Sequence, residues 1–584
     1  MSASEQLTGR SCCDTQPKGG LTAFSKAFFL LSKVFSLTVP TDNDCFYGLK
    51  EKNMRKFLAF MLILMMTLSS ISALAAGELS YEVRKGATVP VFVKSAAGET
   101  VGLSYGGVNV FKGIPYATAE RFKEPVPFTW EGIRQANRYT EICPQGISAV
   151  NRNEVQNLCN YIVEGEDTCL SINIWTPSVD PEAKLPVLVW LHGGGYSSGS
   201  SAEHRIYEGY NLAKYGNVVF VSLNHRLNYL GFLDLSEYGE EFKYSANLSF
   251  VDILCALEWV HDNIAAYGGD PNCVTIDGQS GGGGKVATLM GIPRAEGLFH
   301  RAVAQSGGSA SSTRTSETSR AQTAELVKYL GLEGKPGEEI VKTLQEMPYD
   351  ELRAACREVK YSAGPTIDGD FYTGSVAFSA GKVPLMRTSV FSEFTSNAGP
   401  LYGGPVWESK EVYLENYFPA MTDEIVIAKY QEKYGDKWQE VMDEFLKAYP
   451  DHKAVDGLYV TNRNNNFVTD YTNMGGTAYQ AVIAYNQPLL GGITAIHTGG
   501  DIFLFFRNTK NVADYWIMGD EENAERCSMA MADALVAFMK TGDPSTESLA
   551  WPAFTIQEGA TMIFDANSRV GYFHDADLMA LIAK

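Results

Sequence analysis

Apolar residues along this chain come in short dense runs. Residues 185–191, LPVLVWL, are apolar at every position and give way to His192 and three glycines. A β-branched run of that length with a glycine stop predicts a buried strand entering a loop. Residues 216–226, GNVVFVSLNHR, predict a second such strand, and 273–278 (CVTIDG) and 301–307 (RAVAQSG) predict two more. Between them, residues 248–269 carry apolar side chains at helical spacing and close on glycine, which predicts a helix with a C-terminal stop. Strand and helix alternating in this way predict an α/β fold, with a large, mostly parallel central sheet flanked by helices. Further on, 424–435, 438–450 and 526–544 predict amphipathic helices, the last closed by Gly542. No Pro/Ser/Gly linker interrupts the pattern, so residues 76–584 are expected to form one domain.

The N-terminus reads differently. Arg55 and Lys56 precede an apolar run over 57–66, and residues 73–75 (ALA) have the small-x-small form of a cleavage site. Residues 54–75 are therefore expected to be a secretory signal peptide starting at Met54. Thr67, Ser69, Ser70 and Ser72 break the apolar stretch, which favours cleavage over a retained membrane anchor. Residues 1–53 are then an N-terminal extension expected to lie outside the native protein. The expected location is secreted or extracytoplasmic, with no stable membrane insertion of the mature chain.

Composition narrows the partners. The 584 residues are 45% hydrophobic and 20% charged, as in a globular protein, and the net charge is -20. That surface repels nucleic acid and anionic membranes, so neither is expected as a partner. Of ten cysteines, Cys12, Cys13 and Cys45 precede the signal segment. The others include no C-x-x-C pair, which argues against a zinc site or a thioredoxin-type motif. An exported chain could hold one disulfide, with the remaining thiols buried.

Candidate chemistry sits in residues 275–286, TIDGQSGGGGKV. A phosphate-binding loop would need glycine where Gln279 stands and Ser or Thr where Val286 stands, so that reading fails. Gly278, Ser280 and Gly282 instead spell G-x-S-x-G directly after a predicted strand, and a helix can follow from Lys285. This is the tight strand-to-helix turn that exposes a nucleophilic serine and frees the next N–H, that of Gly281, for an oxyanion. The lysine is expected only to open that helix. Upstream, HGGG at 192–195 ends a buried strand with side-chain-free N–H groups, the composition of an oxyanion loop. A serine also needs a base. Of eight histidines, His497 lies late in the chain, after an apolar run and among glycines, and is the candidate.

These residues resemble the type-B carboxylesterases, the cholinesterase-like family of the α/β-hydrolase fold, and are closest to its bacterial secreted members of the para-nitrobenzyl esterase type. VFKGIPYA (110–117), CLSINIWTP (169–177), FHRAVAQSG (299–307) and AFMKTGDP (537–544) continue the likeness in order across nearly the whole mature chain. The resemblance implies Ser280 as nucleophile and His497 as base. Glu393, which follows the VPL strand, would be the acid. Gly194, Gly195 and Gly281 would supply the oxyanion N–H groups, and Cys143 and Cys169 a disulfide. It implies hydrolysis of a small-molecule ester through an acyl-enzyme, with no cofactor and no metal. The alternatives are a catalytically silent binding or adhesion member of the same fold, and a lipase-like enzyme working at lipid surfaces.

Four departures stand out. Gln279 replaces the usual Glu, Gly281 replaces the usual Ala, Asp501 follows the histidine one position late, and Phe503 replaces a proline. No Trp lies between Cys143 and Cys169, so the cation-binding aromatic of cholinesterases is not expected.

Overall fold

The computed structural model describes residues 88–146, 163–309, 311–312, 314–393, 408–416, 421–463, 466–487 and 499–583. All fall within one compact unit, Val83–Lys584, and the expected extension and signal segment lie outside the described residues. Among the described residues thirteen strands join in a single sheet.

The strands used below are β1 (Val89–Lys94), β2 (Glu99–Tyr105), β3 (Val108–Pro115), β4 (Ser171–Thr176), β5 (Leu185–Leu191), β6 (Val219–Leu223), β7 (Gly269–Gln279), β8 (Arg301–Gln305), β9 (Leu385–Val390), β10 (Ala478–Ile483), β11 (Ala560–Phe564) and β12 (Arg569–Tyr572). Their order across the sheet is β1-β2-β3-β4-β6-β5-β7-β8-β9-β10-β11-β12, with Ile133–Gln135 added beside β2. From β6 to β11 every pair is parallel, and the two flanks are antiparallel except for Ile133–Gln135, which runs parallel to β2. The sheet is thus mostly parallel through its functional centre, as the alternation of strand and helix predicts. The antiparallel entry strands were not part of that expectation.

The dense apolar runs follow from burial on both faces. Along β5, Val187, Val189 and Leu191 enter one core cluster while Leu188 and Trp190 enter the other. The first cluster packs under α1 (Leu248–Asn263) and α2 (Gly281–Leu289), through Leu254, Leu257, Val286 and Leu289. The second packs under α3 (Glu521–Thr541), through Leu535, Phe538 and Met539. Each such side chain contributes roughly 1.5–3 kcal/mol when fully buried. Gly542 closes α3 in the left-handed conformation, φ 80°, where glycine carries no steric penalty.

Parallel registry brings the strand ends into line. Leu191 pairs with Gly278, Gln279 with Gln305, Gln305 with Thr388, and Thr388 with Ala481. Segments leaving β5, β7, β8, β9 and β10 therefore emerge along one carboxyl edge, the edge at which α/β sheets bind ligands.

A buried ionic knot ties the helical layer to the end of β11. His452 lies 3.3 Å from Asp456 and 3.1 Å from Asp565. Burial alone would pull this imidazole down, but the two carboxylates beside it outweigh that and lift it from 6.5 to about 9. A pKa raised on folding adds stability that is complete below the unfolded value and fades as pH climbs through the folded one. Unfolding free energy, measured by urea denaturation, should therefore drop by on the order of 2–3 kcal/mol between pH 6.5 and 9. His452→Gln should flatten that decline; an unchanged slope in the variant contradicts the assignment.

Candidate active site

Ser280 stands between the end of β7 and the start of α2, with φ 55° and ψ −119°. A non-glycine residue in that region is strained by about 1–3 kcal/mol and persists only where its surroundings hold it. Here its N–H donates to Gln305 O at 2.8 Å, and its own carbonyl accepts from Gly284 N at 3.0 Å. The turn is also pressed against β5: a Cβ at Gly282 would lie 2.0 Å from Leu191 O, so only glycine fits. The helix opens at Gly281, four residues before the expected start. Lys285 is consequently inside α2 and fully buried, not at its mouth.

Gly281 accounts for the departure from alanine. A Cβ on it would fall 2.3 Å from Gly195 O, 2.4 Å from Gly195 N and 2.5 Å from Gly195 Cα. The glycine loop after β5 comes down onto the serine turn more closely than an alanine there would allow. Gly194 and Gly195 carry φ of 83° and 64°. Among the described residues, no main-chain acceptor takes the N–H of Gly194, Gly195 or Gly281. Gln145 braces the same loop: its Oε1 accepts from Gly199 N at 2.6 Å and its Nε2 donates to Gly199 O at 3.1 Å. Asn224 Oδ1 accepts from Ser201 N at 2.8 Å. The sequence reading missed both braces, although Gln145 lies inside the ICPQG motif beside Cys143.

Glu393 leaves the same edge just past β9. Its N–H donates to Thr461 Oγ1 at 2.8 Å, and its Oε1 accepts from Val390 N at 3.1 Å. His497 lies outside the described residues. The described chain resumes at Gly499, where a Cβ would stand 4.0 Å from Gln279 Oε1, next to the serine. Asp501, fully buried, is pushed up to about 7 by burial and by the charge of Glu393, with Arg387 opposing. Beneath the turn, burial pushes Asp277 well up; Gln305 Nε2 donates to both its oxygens, at 2.9 and 3.0 Å.

The disulfide expected between Cys143 and Cys169 is not formed. Both are buried free thiols; Cys143 hydrogen-bonds Cys169, and its sulfur accepts from Leu227 N at 3.2 Å. Among the described residues, no group of His, Cys, Asp and Glu side chains could hold a metal ion, and no helix is long and apolar enough to cross a membrane.

A strained serine after a central parallel strand, with a glycine loop beside it, defines an enzyme of the α/β-hydrolase fold. The chain belongs to the carboxylesterase family, whose model matches residues 90–577. It is 30% identical over 520 residues to the para-nitrobenzyl esterase of Bacillus subtilis (strain 168), spanning 81% of this chain and 94% of that one. It is likewise 30% identical to the phenmedipham hydrolase of Pseudarthrobacter oxydans, over 80% of this chain and 94% of the relative. Among solved structures, an esterase from anaerobic Clostridium hathewayi, described as able to hydrolyse aliphatic aromatic polyesters, superposes with a TM-score of 0.73 at 34% identity, over 85% of this chain and 99% of the other. The family is that of carboxylesterases, and both the Bacillus and the Clostridium relatives are described as esterases, so the activity class is ester hydrolysis.

Gly281→Ala, which restores the common family residue, should push the 194–195 loop off the serine. Misplacing catalytic groups by about 1 Å can cost about 10²-fold, so kcat on p-nitrophenyl butyrate should fall between about 10-fold and 10²-fold. Melting temperature should report whether the variant stays folded. A folded variant with wild-type kcat contradicts the close packing.

Proposed function

We propose that the chain is a serine carboxylic-ester hydrolase in which Ser280, His497 and Glu393 act as nucleophile, base and acid. The observation that carries this reading is the held, positive-φ Ser280 beside the N–H groups of Gly194, Gly195 and Gly281, which no main-chain acceptor takes among the described residues. His497 would take the Ser280 proton as the hydroxyl attacks the ester carbonyl. Glu393 would orient the imidazole and stabilise its charged form. The described chain at Gly499 and the carboxyl edge bearing Glu393 support that role for the intervening histidine. The three N–H groups would hold the tetrahedral oxyanion, each worth about 3–4 kcal/mol of barrier. The protonated imidazole then passes its proton to the leaving alcohol, and water, activated by the same base, releases the acid and restores Ser280.

The substrate class is a small-molecule carboxylic ester. Relatives described as acting on a p-nitrobenzyl ester and on aliphatic aromatic polyesters favour esters with an aromatic part over choline esters. Ser280→Ala should cut hydrolysis of p-nitrophenyl acetate to background while the fold is retained by circular dichroism; wild-type turnover in that variant removes Ser280 from the mechanism. A chain-length series of esters separates this reading from a lipase: a preference for long, insoluble chains would favour the latter.

We further propose export, with residues 54–75 as a cleaved signal. Sequencing the secreted product should find a mature N-terminus just after Ala75. An N-terminus upstream of Met54 overturns this.

A further inference from the structure

Ester hydrolysis gives no task to the buried amine of Lys285. Lys285 lies on α2 with no exposed surface, and its Nζ donates to the main-chain oxygen of His192 at 2.9 Å. His192 is the first residue beyond β5 and the first of the glycine loop. The lysine thus ties the helix that carries Ser280 to the base of the loop that carries Gly194 and Gly195. Glu203, near the far end of the same loop, is the carboxyl whose charge acts on it. The rings of His192 and His225 stack at 5.0 Å beside it, and both are held neutral, by burial first and then by the lysine's own charge. Burying an ammonium is costly unless it is paired and hydrogen-bonded. A methionine would fill similar volume without that cost, so the lysine's value lies in its donor and its charge.

We propose that Lys285 is a positioning residue of the oxyanion site: its bond to His192 O fixes the glycine loop, and its positive charge beneath that loop favours the oxyanion. The inference rests on the serine-hydrolase reading above and deepens it. Burial pulls the Lys285 amine down to about 7, with Glu203 opposing. Burial pushes the Glu203 carboxyl up to about 7, opposed by Ser200, Tyr207 and Lys285. Both groups thus titrate closer to neutrality than a free lysine or glutamate, and the net charge of the pair falls as each loses its proton. As pH rises the pair loses positive charge, while the amine can still donate to His192 O. Ester turnover should then carry a falling limb above neutrality, separate from the rise set by the base.

The test compares kcat, KM and the pH profile of wild type, Lys285→Met, Lys285→Gln and Lys285→Arg on p-nitrophenyl butyrate. Lys285→Met removes donor and charge and should lower kcat about 10- to 10²-fold, the scale of a small misplacement, with KM nearly unchanged. Lys285→Gln keeps a donor and should recover part of kcat without the falling limb. Lys285→Arg keeps both and should recover most of it and hold it to higher pH. A folded Lys285→Met with wild-type kcat and pH profile overturns the proposal. If that variant does not fold, wild-type kcat and limb in Lys285→Gln overturn it equally, and a wild-type kcat that stays level from pH 6 to 9 removes the charge component with no variant at all. Failure of the serine-hydrolase reading itself would look different: Ser280→Ala would retain turnover whatever happens at position 285.

Discussion

Everything at this site depends on how closely α2 approaches the end of β5. A Cβ at Gly282 would lie 2.0 Å from Leu191 O, and one at Gly281 2.3 Å from Gly195 O. That contact holds Ser280 in its strained conformation, brings the glycine loop over it, and leaves room below for Lys285 to reach His192. Backbone packed this tightly is a steric constraint, and it sets the distances on which an oxyanion site relies. Strain at Ser280 is tolerated because β7 sits between two parallel neighbours whose registry leaves it little freedom.

The electrostatics follow the same geometry. On one side of the serine, Glu393 and the buried Asp501 act on the buried Arg387, and burial holds the Asp501 and Asp277 carboxyls well above the usual carboxylate range. On the other side lie the N-terminus of α2, N–H groups that no main-chain acceptor takes among the described residues, and Lys285, all sources of positive potential. In a low-dielectric setting such fixed groups act more strongly than they would in water.

Much of this was legible in the sequence because it depends on local pattern. The run 185–191 reads as a strand because both faces of β5 are buried, and G-x-S-x-G after CVTIDG reads as a turn because glycines are the residues that fit there. What stayed illegible depends on contacts between distant segments. Gln145 and Asn224 brace the glycine loop across long separations, and no spacing announces them. Lys285 was misread because a lysine near a helix start is usually solvated; only the glycines before it and the Val-Ala-Thr-Leu-Met after it hint that it lies inside. The alanine-to-glycine change at 281 was visible as a departure, but its reason, the position of Gly195, was not. The disulfide expected from family likeness depends on oxidation state as well as on proximity, and only the proximity is realised.

The central claim is that Ser280 is the activated nucleophile. Its most direct measurement is the site of covalent modification by a fluorophosphonate ester, mapped by peptide mass spectrometry on the folded protein. The account predicts one adduct per chain, on the peptide containing Gly278 to Gly284, with the phosphorus bonded to Ser280 Oγ. An adduct on another residue, or none from a preparation that turns over p-nitrophenyl esters, would contradict it.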